Sequence, residues 1–269
     1  MHGEAVFSER AGQLGELARE AADDGVSMLV VVGGDGTVHE VVNGIAGRDG
    51  VELALIPRGT GRDFARTHAI PKRLGEALRI ARDGIARPFD LGRASFQADG
   101  TQAAAWFANM ASVGMSGAVA AKANATTKVL GAKTSYLLAL GVVFARWKNV
   151  HLRVRVDEEE RDALMEDTIA AVGRYLAGGM MITPDAEPDD GLFDVLLIGD
   201  LTKTELVRVM PKIYRGTHLP HPKGELLRGR TVSIEADEPL PVQLDGEQPG
   251  TTPVRFEIVP AAIRLRVAG

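Results

Sequence analysis

The run Met28-Leu29-Val30-Val31-Val32 leads directly into Gly33-Gly34-Asp35-Gly36-Thr37, and this junction constrains the chain more than anything else in it. A short, unbroken apolar run ending in glycines is the pattern of a strand buried on both faces, as in a parallel sheet. Residues 39–46 then read as a helix, residues 51–56 as a second buried strand, and residues 71–83 as an amphipathic helix. Upstream, Ser8 is placed to cap a helix running to about Asp24, with Ala11, Leu14, Ala18 and Ala21 on one face and Gly25 ending it. This alternation predicts a parallel sheet with ligands at the carboxyl ends of its strands.

The pattern changes near Asp90. Strand-like runs at residues 151–156, 232–235, 254–259 and 263–267 then dominate, interrupted by helical stretches at about 133–148 and 202–215. The expected fold class is therefore an α/β N-terminal domain with a parallel sheet, residues 1–90, plus a mostly antiparallel β-sandwich domain, residues 91–269. The boundary falls near Pro88 to Arg93, and the C-terminal tail returns to the first domain. Residues 184–191 and 215–224 read as the longest loops.

Composition removes several classes of function. The formal net charge of -5 argues against nucleic acid, whose phosphates select for clustered positive charge. With no cysteine there are no disulfides, thiolate nucleophiles or cysteine metal sites, which fits a reducing cytoplasm. The longest apolar stretch, residues 136–145, is about half the length a bilayer-spanning helix needs, so it reads as a core helix first and a membrane-contacting helix second.

Four segments carry chemistry. In the Gly33–Thr37 turn, glycines let backbone N–H groups approach phosphate oxygens, and the following helix adds positive potential at its start. Asp35 among phosphates would be repelled unless it serves a cation or orients a hydroxyl, which makes it the most informative residue there. The turn matches neither G-x-x-x-x-G-K-[ST] nor G-x-G-x-x-G. Pro57-Arg58-Gly59-Thr60-Gly61-Arg62-Asp63 repeats the design after the next strand, with Arg58 or Arg62 available to phosphate and Asp63 placed to cap a helix. Asp189-Asp190-Gly191 is either a solvated acidic turn or a site for a hard cation. Leu244-Asp245-Gly246-Glu247 is either a hairpin turn or the source of a base for a hydroxyl nucleophile. Gly114-Met115-Ser116-Gly117 misses the spacing of a nucleophile elbow. His218 and His221 lack a third ligand nearby in sequence.

In this order, with Phe89-Asp90-Leu91-Gly92-Arg93 and Gly178 to Val195, these segments resemble the diacylglycerol kinase catalytic domain family, which includes bacterial lipid kinases and sphingosine kinases. The resemblance runs from about Phe7 to the C-terminus. It implies a two-domain enzyme, related to NAD kinases in fold, that transfers the γ-phosphoryl group of ATP to the hydroxyl of diacylglycerol or a related lipid alcohol with Mg²⁺. By the same resemblance Gly33, Gly34, Asp35, Gly36, Thr37, Glu40, Gly59, Thr60 and Asp63 hold the nucleotide. Asp63 and Asp90 belong to the Mg²⁺–water network, and Glu187, Asp190 and the backbone of Leu192 correspond to a structural metal site. Glu247 matches the proton acceptor, Asp245 its essential neighbour, and Asp35 completes the catalytic set. A cytoplasmic enzyme in transient contact with the inner face of the cell membrane is implied, with no nucleic-acid partner and room for a homodimer. An NAD kinase-like enzyme and a catalytically impaired nucleotide- or lipid-binding homologue are the alternatives. The chain departs from the family in lacking its usual opening strand and Asn-Pro-x-x-Gly loop, so an exposed sheet edge is expected. It also has His39 and Arg62 where asparagine is frequent, and Ser116 and Val172 where Asp and Asn are common.

Overall fold

The structure, a computed structural model, describes residues 3–125 and 132–269, with side chains from residue 138 onward in the second stretch. Helix α1 spans Gln13–Asp23. It starts later than the Ser8 cap predicts, because Gly12 turns the chain with φ 80° and Gln13 Oε1 accepts the Glu9 amide instead. Strand β1 (Met28–Gly33), helix α2 (Asp35–Ile45), strand β2 (Glu52–Pro57) and helices α3 (Asp63–Thr67) and α4 (Leu74–Asp83) follow. β1 and β2 are parallel, paired from Met28↔Glu52 to Gly33↔Pro57, so both glycine loops leave the sheet at the same end. α1 lies close on α2 because Gly15 and Gly44 face each other: a Cβ at Gly44 would overlap the Gly15 carbonyl.

The remainder is mostly strand. β3 (Ile85–Ala98), β4 (Thr101–Phe107) and β5 (Met110–Gly114) lead to helices α5 (Met115–Asn124) and α6 (Ala132–Arg146). β6 (Val150–Val156) and β7 (Glu159–Ala171) form a hairpin, and the short β8 (Tyr175–Leu176) and β9 (Met180–Met181) form another. β10 (Phe193–Gly199), helix α7 (Lys203–Ile213), β11 (Gly224–Gly229), β12 (Thr231–Ala236), β13 (Pro241–Leu244) and the 21-residue β14 (Glu247–Val267) complete the chain. A Thr202–Glu205 capping box starts α7.

The expected division into a parallel sheet and a separate antiparallel sandwich is wrong. Among the described residues twelve strands belong to one sheet, and parallel pairing is confined to β1–β2 and β2–β14. The cause is β14, which reads in sequence as two strands, residues 254–259 and 263–267. They are one strand with an irregularity between Val259 and Ile263, where Ala261 takes φ 55°. Its end pairs with β2 at Arg264↔Glu52 and Leu265↔Leu53, its middle pairs with β12, and β3 runs antiparallel along most of its length. β3 itself continues unbroken through Pro88 to Arg93. β1 pairs only with β2 among the described residues and leaves Val30 and Val32 exposed.

Apolar side chains gather around this sheet. In the antiparallel part Phe107 stacks on Phe193 (centroids 5.7 Å apart) and meets Phe256 edge-on (5.6 Å), and Gly92 is bare because the Phe107 ring lies across it. Val38, Val42, Leu53 and Leu265 bury the α2 face of β1 and β2. Met110, Val119, Ile169, Leu196 and Leu206 fill the space beneath α5, α6 and α7. Each such fully buried side chain is worth about 1.5–3 kcal/mol relative to exposure.

Two acidic residues interrupt that third cluster. Asp167 on β7 accepts the amide and hydroxyl of Ser116 (2.8 and 2.9 Å), placing a carboxyl group at the start of α5. Glu166, next to it, is buried and its Oε1 has no partner among the described residues. Burial pushes both carboxyls well above the usual range, and their proximity adds to it for Glu166. The folded state therefore keeps protons that the unfolded chain releases, and this contribution is lost as pH rises through the folded values. The unfolding free energy should fall as pH rises from about 5 to 8, by roughly 1.4 kcal/mol per pH unit for one titrating group, the melting temperature should fall with it, and Glu166→Gln should flatten the slope. Equal slopes for the two proteins in a thermal-melt series would contradict this.

Candidate active site

The two glycine loops clasp each other. The amides of Arg58 and Gly59 donate to the Gly33 carbonyl (2.8 and 3.2 Å), and a Cβ at Gly34 would lie 2.8 Å from the Gly59 Cα. Thr37 packs on Gly33 where a side chain would otherwise be. Gly36 has open space in front of it, Thr60 and Arg58 are exposed at the rim, and α2 begins at Asp35 with its first amides facing outward from the sheet end. Any Cβ at Gly34 or Gly59 would fill the space that brings the backbones together.

Asp35 bridges the loops. Its Oδ1 accepts the Phe64 amide (3.0 Å), and its Oδ2 fills the place where Gly61 lacks a Cβ. Buried Asp63 accepts the Gly178 amide and the Arg66 guanidinium, both at 2.7 Å. Burial raises the Asp63 pKa against the pull of the Gly178 amide, and the charge of Asp35 raises it further. Two carboxylates that repel each other beside an amide-rich turn fit a hydrated Mg²⁺ on a phosphate chain. Glu40 instead turns to α1, where its Oε2 accepts the Leu14 amide (3.2 Å).

One helical turn beyond Asp35 on α2 stands His39, on the same face. Its Nδ1–H donates to Asp245 Oδ2 (3.2 Å), and the same carboxylate accepts the amides of Ala108 (2.7 Å), Asn109 (2.9 Å) and Met110 (3.0 Å). Asp245 sits at φ 50° in the turn joining β13 to β14, so its segment is a hairpin whose turn carboxylate reaches α2. Exposed Glu247 accepts from Asn124 at the end of α5 (3.2 Å). Burial opposes a charged His39, but the Asp245 hydrogen bond and the charges of Asp245, Glu247 and Glu40 outweigh it and raise its pKa.

The Asp189–Gly191 turn is organised differently. Buried Asp90 accepts the amides of Gly191 (2.7 Å) and Ala261 (2.9 Å), so it holds the turn against the irregularity in β14. Asp190 accepts the Leu192 amide (3.0 Å) and the Arg228 guanidinium, which also lies 3.6 Å from Asp194. Arg87 stands 3.6 Å from Asp189, and Glu187 is exposed. No group of three or more acidic or histidine side chains is poised for a metal among the described residues. These residues do not fit a bare structural cation, because Arg228 already supplies the positive charge. His218 donates Nε2–H to the Ile182 carbonyl (3.0 Å) within the fold.

Comparison with known proteins gives the family of the chain. Residues 2–94 match the model of the diacylglycerol kinase catalytic domain, and residues 109–267 match that of the YegS C-terminal NAD kinase beta sandwich-like domain. The chain is 31% identical over 252 residues to the diacylglycerol kinase of Mycobacterium tuberculosis, covering 93% of this chain and 79% of that one. This chain belongs to the diacylglycerol kinase catalytic domain family. The diacylglycerol kinase of Staphylococcus carnosus is 28% identical over 253 residues, which span 94% of this chain and 80% of that one. In fold, the family member resembles the crystal structure of a diacylglycerol kinase from Bacillus anthracis, with a TM-score of 0.72, 20% identity, and coverage of 97% and 84%.

Sequence reasoning noted His39 only as a departure from the family, although its i+4 spacing from Asp35 places both on one helix face. The amides of residues 108–110 carry no side-chain signal, and Arg228 sits unmarked in a strand. If Arg228 replaces a cation, the nucleotide-free melting temperature should not respond to Mg²⁺ or chelator. Arg228→Ala should melt lower and recover on adding divalent cation. A wild-type protein that Mg²⁺ stabilises as strongly as the variant would refute this.

Proposed function

We propose that this enzyme transfers the γ-phosphoryl group of ATP to the hydroxyl of diacylglycerol or a related lipid alcohol. The observation carrying this reading is that α2 joins the Asp35–Asp63 cradle at its first turn to the Asp245–Glu247 hairpin at its second. A phosphoryl donor and a base for its acceptor need that proximity, and family membership supplies the lipid class. Mg²⁺, when bound, would neutralise charge developing during transfer, with Asp35 and Asp63 the residues that would hold it.

The roles divide along the chain. Residues 1–90, with the returning end of β14, act as the nucleotide-binding half, and residues 91–269 supply the acceptor side. The glycine loops, with Gly33, Gly34, Gly36, Thr37, Gly59 and Thr60, let phosphate approach the backbone. Asp35 and Asp63 orient the metal's water shell. Glu247 takes the acceptor's proton, and Asp245 fixes the turn from which Glu247 projects. Glu40 secures α2 to α1, and Asp90 holds the acidic turn in place. No helix among the described residues is long and apolar enough to cross a membrane. Leu138 and Val142 are exposed one turn apart on α6 and form the face we assign to transient contact with lipid.

The test is transfer of labelled γ-phosphate from ATP to a panel of lipid alcohols in mixed micelles, with NAD as a competing acceptor. Label should appear in lipid, and Asp35→Asn and Glu247→Gln should each lower turnover by about 10²-fold or more while melting normally. Phosphorylation of NAD alone, or near-wild-type rates in both variants, would overturn the reading.

A further inference from the structure

We propose that Asn109 is a positioning residue of the nucleotide site, its side chain pinning the β8–β9 hairpin so that the Gly178 amide stays on Asp63. This rests on the kinase reading above and adds to it a residue that acts on the site through others.

Hydrogen bonds carry the inference. Asn109 lies buried in the turn between β4 and β5, where its amide donates to Asp245 Oδ1 (2.9 Å). Its carbonyl accepts the amides of Val172 (2.9 Å) and Gly173 (3.0 Å). The side chain adds two more contacts: Nδ2 donates to the Tyr175 carbonyl, and Oδ1 accepts the Thr67 hydroxyl at 3.4 Å. Thr67 closes the ring, because its oxygen accepts the Arg174 amide (3.1 Å) from the segment entering β8. Gly173 has no side chain where a Cβ would lie 2.1 Å from that Oδ1. Residues 173–175 are thus held against Asn109.

The hairpin matters for what its tip holds. Gly178, in the turn between β8 and β9 at φ 85°, donates to Asp63 at the start of α3, and Thr67 ends the same short helix. That amide opposes the burial that raises the Asp63 pKa, and so favours the charged form a hydrated cation needs. β8 and β9 have two residues each and pair only with one another among the described residues. A two-stranded hairpin of that length is marginal alone and needs outside anchors. Asn109 anchors it at Tyr175, the first residue of β8, three residues from the amide that meets Asp63.

The position calls for an amide. Nδ2 faces a carbonyl and must donate, whereas a carboxylate of the same size can only accept. Asn109→Asp would lose the bond and set a charge against the Tyr175 carbonyl. The backbone bond to Asp245 does not depend on the side chain. A change at residue 109 therefore loosens the Asp63 side and spares the Asp245 clamp.

The experiment compares wild type with Asn109→Asp, Asn109→Ala and Thr67→Val in two readouts. The first is amide exchange of the nucleotide-free protein. Residues 176–179 should exchange about 10-fold faster in each variant, with β1 and β2 as protected as in the wild type. The second is turnover with diacylglycerol in mixed micelles, where KM for Mg·ATP should rise about 10-fold and KM for the lipid should stay the same. A merely structural loss reduces the amount of active enzyme, which lowers apparent kcat and leaves KM where it was. If both residue 109 variants fail to fold, Thr67→Val carries the test. Unchanged exchange at residues 176–179, or an unchanged KM for Mg·ATP, in variants that melt normally would overturn the proposal while leaving the kinase reading intact. Absence of lipid phosphorylation by the wild type would overturn the kinase reading. Calorimetric binding of Mg·ATP then takes the place of KM, and equal affinity in wild type and variants would overturn the proposal as well.

Discussion

The carboxylate of Asp245 is the constraint on which the site depends. A buried charge is tolerated only when its lone pairs are used, and here three backbone amides and one imidazole use them. Hydrogen bonds to a charged group contribute about 1.5–3 kcal/mol each, so this cluster is among the strongest local features of the chain. Asp245 stands in the β13–β14 turn, and its partners come from the β4–β5 turn, the start of β5 and α2. They are far apart in sequence, and the same bonds that stabilise them set where Glu247 and His39 stand. Stability and chemistry meet in one side chain.

The sheet makes that meeting reproducible. β1 and β2 deliver both glycine loops to one end because they are parallel and in register, and β14 runs as one strand from its pairing with β12 to its pairing with β2. Where β14 bends at Ala261, Asp90 takes the freed amide and ties the bend to Gly191. The acidic turn is thereby anchored to the sheet, and Arg228 neutralises it from the adjacent strand β11. A rigid frame with clasped loops suits phosphoryl transfer, where positioning supplies most of the acceleration.

Much of this was legible in the residues. The apolar run before Gly33 marked the first strand, the second followed residues 51–56, and the two glycine loops are where a phosphate cradle was expected. The continuity of the sheet was not legible. β2 and the end of β14 pair across some two hundred residues, and local periodicity says nothing about which strands become neighbours. The left-handed residue Ala261 also hid one long strand as two short ones. At the site, side chains with a chemical signature were found and backbone donors were not. The amides that hold Asp245 belong to an Ala-Asn-Met segment with no motif, and Arg228 could be recognised only once β10 and β11 were seen to pair.

The most direct test of the Asp245 clamp is amide hydrogen exchange of Asp245→Asn against the wild type. Removing one acceptor oxygen should speed exchange at residues 108–110 and in α2 around His39, with β1, β2 and the Phe107–Phe193–Phe256 cluster unaffected. Faster exchange confined to the β13–β14 turn, with α2 as protected as before, would show that Asp245 does not join α2 to the hairpin.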